Sequence, residues 1–154
     1  MAPIGDPADI AFAPSWKHAA WMASGELTSV QLTDIYLDRI ARHGEALECF
    51  VTVTADLARR QAAQMDAERA RGRVQGPLHG IPVALKDNIQ TTHLPTTGGA
   101  LAFAGFVPPY EATLTGNLRD AGAIIIAKAG LTEFANFMAG TPNAMPGNYN
   151  ALTG

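Results

Sequence analysis

Cysteine is almost missing from this chain. Cys49 stands alone among 154 residues, so no internal disulfide and no cysteine-based metal cage can form, and a reducing compartment is compatible. Serine is scarce too: Ser15, Ser24 and Ser29 are the full set, and none sits in a glycine-rich turn that could present an exposed nucleophile. Positive charge is also short. Eleven Lys and Arg against fourteen Asp and Glu leave a net charge of -3, which argues against the basic face a nucleic-acid binder needs. The one local cluster, Arg59, Arg60, Arg69, Arg71 and Arg73, is interleaved with Asp56, Asp66 and Glu68 and reads as a solvated helix face. His18, His43, His79 and His93 lack the short spacings that put two imidazoles on one metal, so no metal site is expected. No apolar run is long enough to span a bilayer, and residues 1–14 have neither a basic nor an apolar signal region. These absences predict a soluble, cytoplasmic protein with no membrane and no nucleic-acid partner.

What remains is apolar. With 47% hydrophobic residues the chain can bury one core. Three prolines and a glycine in residues 1–14 predict an irregular arm, and residues 15–154 read as part of a single domain. Ser15 is placed to cap a helix through Met22 or Ala23, ended by Gly25. Thr28 and Gln31 form a capping box for a second helix ending near Gly44, with Leu32, Ile35, Tyr36 and Ile40 on one face and Asp38 and Arg42 paired on the other. A strand over 50–54 is followed by a helix over 56–71 whose thin apolar face is Ala58, Ala62 and Met65. A further helix over 112–120, stopped by Gly122, leads into an isoleucine-rich strand over 123–128. Alternating helices and near-continuous apolar strands predict an α/β fold, with a sheet covered by helices on both faces.

One stretch, Gly76-Pro-Leu-His-Gly-Ile-Pro-Val-Ala-Leu-Lys86-Asp-Asn-Ile89, ends an apolar strand on a lysine. A lysine at the mouth of a core would have its ammonium penalised by burial, which turns lysine into a usable base near neutral pH. A lysine in that position is also a common solvated turn residue. The loop over 91–110, with Gly98-Gly99, Gly105 and Pro108-Pro109, is too long for a plain connector and is expected to shape a site. His79 stands just before the lysine strand and reads, like the other histidines, as structural or solvated. Gly98-Gly99 is no phosphate loop, because no Gly-Lys-Ser or Gly-Lys-Thr succeeds it. Residues 138–154 read as a loop.

Together with Leu94-Pro-Thr-Thr-Gly-Gly99, Gly105-Phe-Val-Pro-Pro109, Leu118-Arg-Asp-Ala-Gly-Ala-Ile-Ile-Ile-Ala-Lys128 and Leu131-Thr-Glu-Phe-Ala-Asn136, that stretch resembles the amino-terminal part of an amidase signature enzyme. The blocks stand in the family's order, and the resemblance covers about residues 25–154. It implies a large mixed sheet flanked by helices, of which this is the first portion. It also implies that Lys86 is the catalytic lysine of a Ser-cisSer-Lys triad, that Asp87 and Asn88 support it, and that Phe137 and Met145 contact the acyl side of a substrate. The bland alternative for the last two is that Phe137 anchors a short helix and Met145 fills a gap.

The expected activity is hydrolysis of a carboxylic amide, releasing ammonia or an amine, without a cofactor. Lys86 would take a proton through the cis serine, the second serine would attack the carbonyl, and backbone amides would hold the oxyanion. Both family serines lie carboxy-terminal to these blocks, so the remainder of the amidase domain is expected to be required and the chain alone to be inactive. A homodimer is left open. Two alternatives stand beside this reading: the amidase subunit of a glutamine-dependent transamidation complex, and a non-catalytic interaction module. The segments Ala135-Asn-Phe-Met138 and Thr141-Pro-Asn-Ala-Met-Pro146 favour a stand-alone hydrolase over the transamidation component.

Overall fold

The computed structural model describes residues 5–138 and 152. Their element order is α1 (Pro7–Ala11), α2 (Ser15–Ser24), α3 (Ser29–Leu47), β1 (Phe50–Val53), α4 (Ala55–Ala70), β2 (Pro82–Lys86), α5 (Thr113–Asp120) and β3 (Ile124–Ala129), with 3-10 turns at Leu101–Phe103 and Glu133–Met138. The strands form a mixed sheet in the order β1-β3-β2. β1 runs antiparallel to β3, and β2 runs parallel to it.

Helix boundaries obey local chemistry. Thr28 and Gln31 close a capping box at the start of α3, and Gly25 ends α2 in the left-handed conformation that costs glycine nothing. Three expectations need correction. The arm over residues 1–14 contains α1, because Asp6 accepts from the amides of Ala8 and Asp9 while Pro7 sits at the first helical position, where its missing N–H is no loss. Helix α3 runs past Gly44 to Leu47: one interior glycine costs about 1 kcal/mol, too little to stop a helix with a packed face. Ser15 is the first residue of α2 and not its cap; Pro14 holds the cap position.

The central strand β3 is buried along nearly its whole length. On one face Ile124, Ile126 and Ala127 pack with Leu37 of α3 and Ala58 and Ala62 of α4, with Met65 and Ile40 alongside. On the other face Ile125 and Leu85 pack with Leu94 of the long loop and, more loosely, Leu118 of α5. A third cluster, Ile10, Trp21, Met22, Leu27 and Leu32, fastens α1 and α2 to α3. The sheet is thus flanked by α3 and α4 on one face and by the long loop with Leu118 of α5 on the other.

Two irregularities interrupt the sheet. Between β2 and β3, Val83 pairs with Ile125 but Ala84 pairs with Ala127, which leaves Ile126 as an extra residue in β3. Between β1 and β3, Phe50 pairs with Ala129 and Thr52 with Lys128, which leaves Val51 extra in β1. Such bulges re-aim the neighbouring side chains.

Candidate active site at the carboxyl ends of the parallel strands

Because β2 and β3 are parallel, their carboxyl ends lie side by side, with Lys86 paired to Ala129. In open α/β sheets this is the end where loops leave the strands and ligands bind. Three segments converge here: the turn after β2, residues 96–99 of the long loop, and the exit of β3 through Gly130 and Leu131.

Lys86 is exposed on the last position of β2. Its Nζ donates to the carbonyl oxygen of Gly130. The expectation that burial would act on this lysine is therefore corrected for the described residues. β2 is an edge strand, and Ala84 and Lys86, two residues apart on one face, are both open to solvent. Asn88 is exposed in the turn that the Ile89 N–H closes on the Lys86 carbonyl at 2.9 Å.

Asp87 is buried and held from several sides. Its N–H donates to Ala129 O at 2.9 Å, and its carbonyl accepts from the Gly98 N–H at 3.1 Å. Its carboxylate accepts from the Thr97 N–H at 3.1 Å and from the Thr97 hydroxyl. Thr97 Oγ1 in turn accepts from the Gly99 N–H at 3.1 Å. The long loop is therefore folded back onto the strand end that carries Lys86, and is no slack excursion.

The fully buried lysine is a different one. Lys128, near the end of β3, has a side chain 0% exposed, and its Nζ lies 3.4 Å from Asp87 Oδ1, itself 0% exposed. Nζ also donates to Ile89 O and Thr96 Oγ1, each at 2.8 Å, and to Pro95 O at 3.3 Å. Burial pulls the Lys128 ammonium below its ordinary lysine value, and the Asp87 carboxylate opposes that shift. Lys128, Thr96 and Thr97 had no expected role. A signal was present, since Lys128, like Lys86, is a lysine that ends an apolar strand.

The remaining candidates separate from this centre. Phe137 falls in the turn Glu133–Met138, but its side chain and all of Met145 lie outside the described residues. His79 is buried, accepting from the Gln75 N–H at 3.2 Å and placing Nε2 3.0 Å from Met65 O, a structural arrangement. Among the described residues no group of His, Cys, Asp or Glu could hold a metal, and no helix is long and apolar enough to cross a membrane. An apolar groove of about 540 Å³ lies elsewhere, between α3 and the sheet, lined by residues including Ile40, Leu47, Phe50 and Ala84 but not by Lys86.

A family model described as Amidase matches residues 31–153. The chain belongs to the amidase family. A glutamyl-tRNA(Gln) amidotransferase component from Thermobifida fusca is 47% identical over 116 residues, which are 75% of this chain and 23% of that protein. Among solved structures, the native peptide amidase of Stenotrophomonas maltophilia is 45% identical with a TM-score of 0.76, over 82% of this chain and 26% of its own. An amidase family protein from Bacillus anthracis str. Ames is 30% identical with a TM-score of 0.79, over 91% of this chain and 28% of its own. The chain thus spans about a quarter of the length of the relatives it matches.

Proposed function

We propose that this amidase chain supplies the proton-accepting lysine, Lys86, of an enzyme that hydrolyses linear carboxylic amides. The observation that carries the reading is the placement of Lys86: an exposed amine at the carboxyl end of a parallel strand, beside the Gly130 carbonyl, above a turn tied down through Asp87. In its neutral form such an amine can take a proton from a hydroxyl brought to it. The nucleophile and the oxyanion donors come from the remainder of the amidase domain, which fits a chain spanning 23% of its curated relative. Asp87 and Asn88 shape the turn and do no chemistry. Phe137 and Met145 are assigned to the acyl side of the substrate, as family resemblance suggests. A cytoplasmic setting fits the lone Cys49.

The test is Lys86→Ala in the full-length protein. Loss of the positioned base removes a contribution of about 100- to 10,000-fold, so kcat/KM on a simple carboxamide should fall at least that far while the far-UV circular dichroism stays unchanged. Near-normal turnover would sink the assignment.

The 47% identity to an amidotransferase component favours a second reading, in which the same machinery releases ammonia for a partner. Ammonia release from simple amides by the purified protein alone supports the stand-alone hydrolase; glutamine hydrolysis that appears only with partner proteins supports the second.

A further inference from the structure

We infer that Lys128 and Thr97 are positioning residues for Lys86: by clamping Asp87 from the opposite face of the sheet, they fix where the amine stands. The inference rests on the reading of Lys86 as the base.

The bulge in β3 is the first observation. Ile124, Ile126 and Ala127 belong to the cluster under α3 and α4, whereas Ile125 belongs to the cluster on the other face with Leu85 and Leu94. In a regular strand residue 128 would share the face of Ile126, because side chains alternate. The extra residue at Ile126 turns Lys128 to the other face, where its Nζ meets Asp87 and the loop carbonyls of Ile89 and Pro95.

The second observation is what that placement costs. Taking an ammonium and a carboxylate wholly out of water carries a large desolvation penalty for each ion, and a well-packed apolar pair is often as stable or more so. Both side chains are 0% exposed. A stabilising role alone does not account for them. What the pair does provide is fixed geometry: Lys128 links β3 to residues 87, 89, 95 and 96, and Thr97 adds two donors to the same carboxylate.

The third is the contrast with Lys86. Its exposed side chain meets the Gly130 carbonyl, so the amine's position is set chiefly by its backbone. Consecutive Cα atoms are about 3.8 Å apart, and Asp87 is the next residue, held at its N–H, its carbonyl and its carboxylate. Loosening Asp87 therefore moves Lys86 directly, and a misplacement of about 1 Å can cost about 100-fold in rate.

The experiment compares Thr97→Val, Thr97→Ser, Lys128→Met and Lys86→Ala in the full-length enzyme on one carboxamide substrate. Thr97→Val keeps the volume and removes the hydroxyl; Thr97→Ser keeps the hydroxyl. A positioning role predicts that Thr97→Val lowers kcat about 10-fold with KM within about twofold, while Thr97→Ser stays within about twofold of wild type. Lys128→Met should show the same split with a larger loss in kcat, about 30-fold. Should Lys128→Met fail to fold, the threonine pair decides. Wild-type kcat in Thr97→Val, or an equal fall in Thr97→Ser, overturns the inference, because packing and not the hydroxyl would then be what matters. Lys86→Ala keeps the two readings apart. If it is dead while Thr97→Val is normal, only the positioning role falls; if it is active, the base assignment falls and the positioning role with it.

Discussion

At the residue scale the chain carries two lysines at the ends of neighbouring parallel strands, and they have opposite surroundings. Lys86 is open to solvent, whereas Lys128 is sealed beneath the loop that Asp87 anchors. For Lys128 the consequence can be measured as pH-dependent stability. Burial lowers its folded value beneath the ordinary 10.5 of the unfolded chain. Between those two values the folded state binds fewer protons than the unfolded one, so stability rises with pH through that window. The contribution is complete above 10.5 and is lost as pH falls through the folded value. Tyr36 acts the other way, since burial raises its phenol above 10.0 and its contribution is lost as pH climbs past the folded value. The comparison of wild type with Lys128→Met isolates the lysine, because Tyr36 is common to both. Urea midpoints of the wild type should gain on those of the variant as pH approaches 10.5, and parallel curves would contradict the buried-ammonium account. Near neutral pH the variant should be less stable by about 3–5 kcal/mol, because Asp87 is then left buried without its cation.

At the scale of elements, much was legible because the signals are local. The capping box at Thr28 and Gln31 is a pattern of two side chains close together in the chain, and it forms as read. Thr28→Ala should cost about 1 kcal/mol, seen as a lower thermal midpoint. The apolar face of α4 and the buried run of β3 also stem from periodicity, because each residue's face is set by its own neighbours. The bulge at Ile126 was not legible. It depends on pairing with β2, more than thirty residues earlier in the chain, and a continuous apolar run gives no alternation against which to see a slip. Exposure of Lys86 was hidden for a related reason: spacing places a lysine at a strand end but not the number of elements stacked around it. The paired glycines lie between these cases. A Cβ on Gly99 would meet the Leu131 carbonyl oxygen at 2.5 Å and that of Thr132 at 3.1 Å, with φ at +73°. Gly99→Ala should therefore push the long loop away from the exit of β3, in addition to a backbone cost of about 1–3 kcal/mol. Activity of the full-length enzyme is expected to fall by more than the loss of folded protein explains; kinetics normalised to the folded fraction provide the check.

At the scale of the whole molecule, the described residues bury their core on two faces of a three-stranded sheet yet leave much apolar surface in contact with solvent. Leu47 is 69% exposed at one end of the groove beside α3. On the long loop, the rings of Phe103 and Phe106 lie 5.8 Å apart, and Phe103 stands 6.0 Å from Phe134, yet all three remain exposed. Exposed apolar patches of this kind favour association and dye binding. The chain also spans about a quarter of its relatives, and Ser15, Ser24 and Ser29, its only serines, all precede Lys86. Ser29 is buried and donates to the Gly80 carbonyl at 2.6 Å, so it is committed to holding α3 against the approach to β2. Under the proposed reading Lys86 acts on a serine brought to it from the remainder of the domain, and no hydrogen bond joins Lys86 to any of these three serines among the described residues. The 154-residue chain produced alone should thus bind a hydrophobic-reporter dye and release no ammonia from carboxamides above the uncatalysed background, whereas the full-length protein should do the reverse. Measurable turnover by the short chain, of confirmed mass 16.2 kDa, would require a nucleophile within residues 1–154 and would redirect the search to the segment beyond Met138.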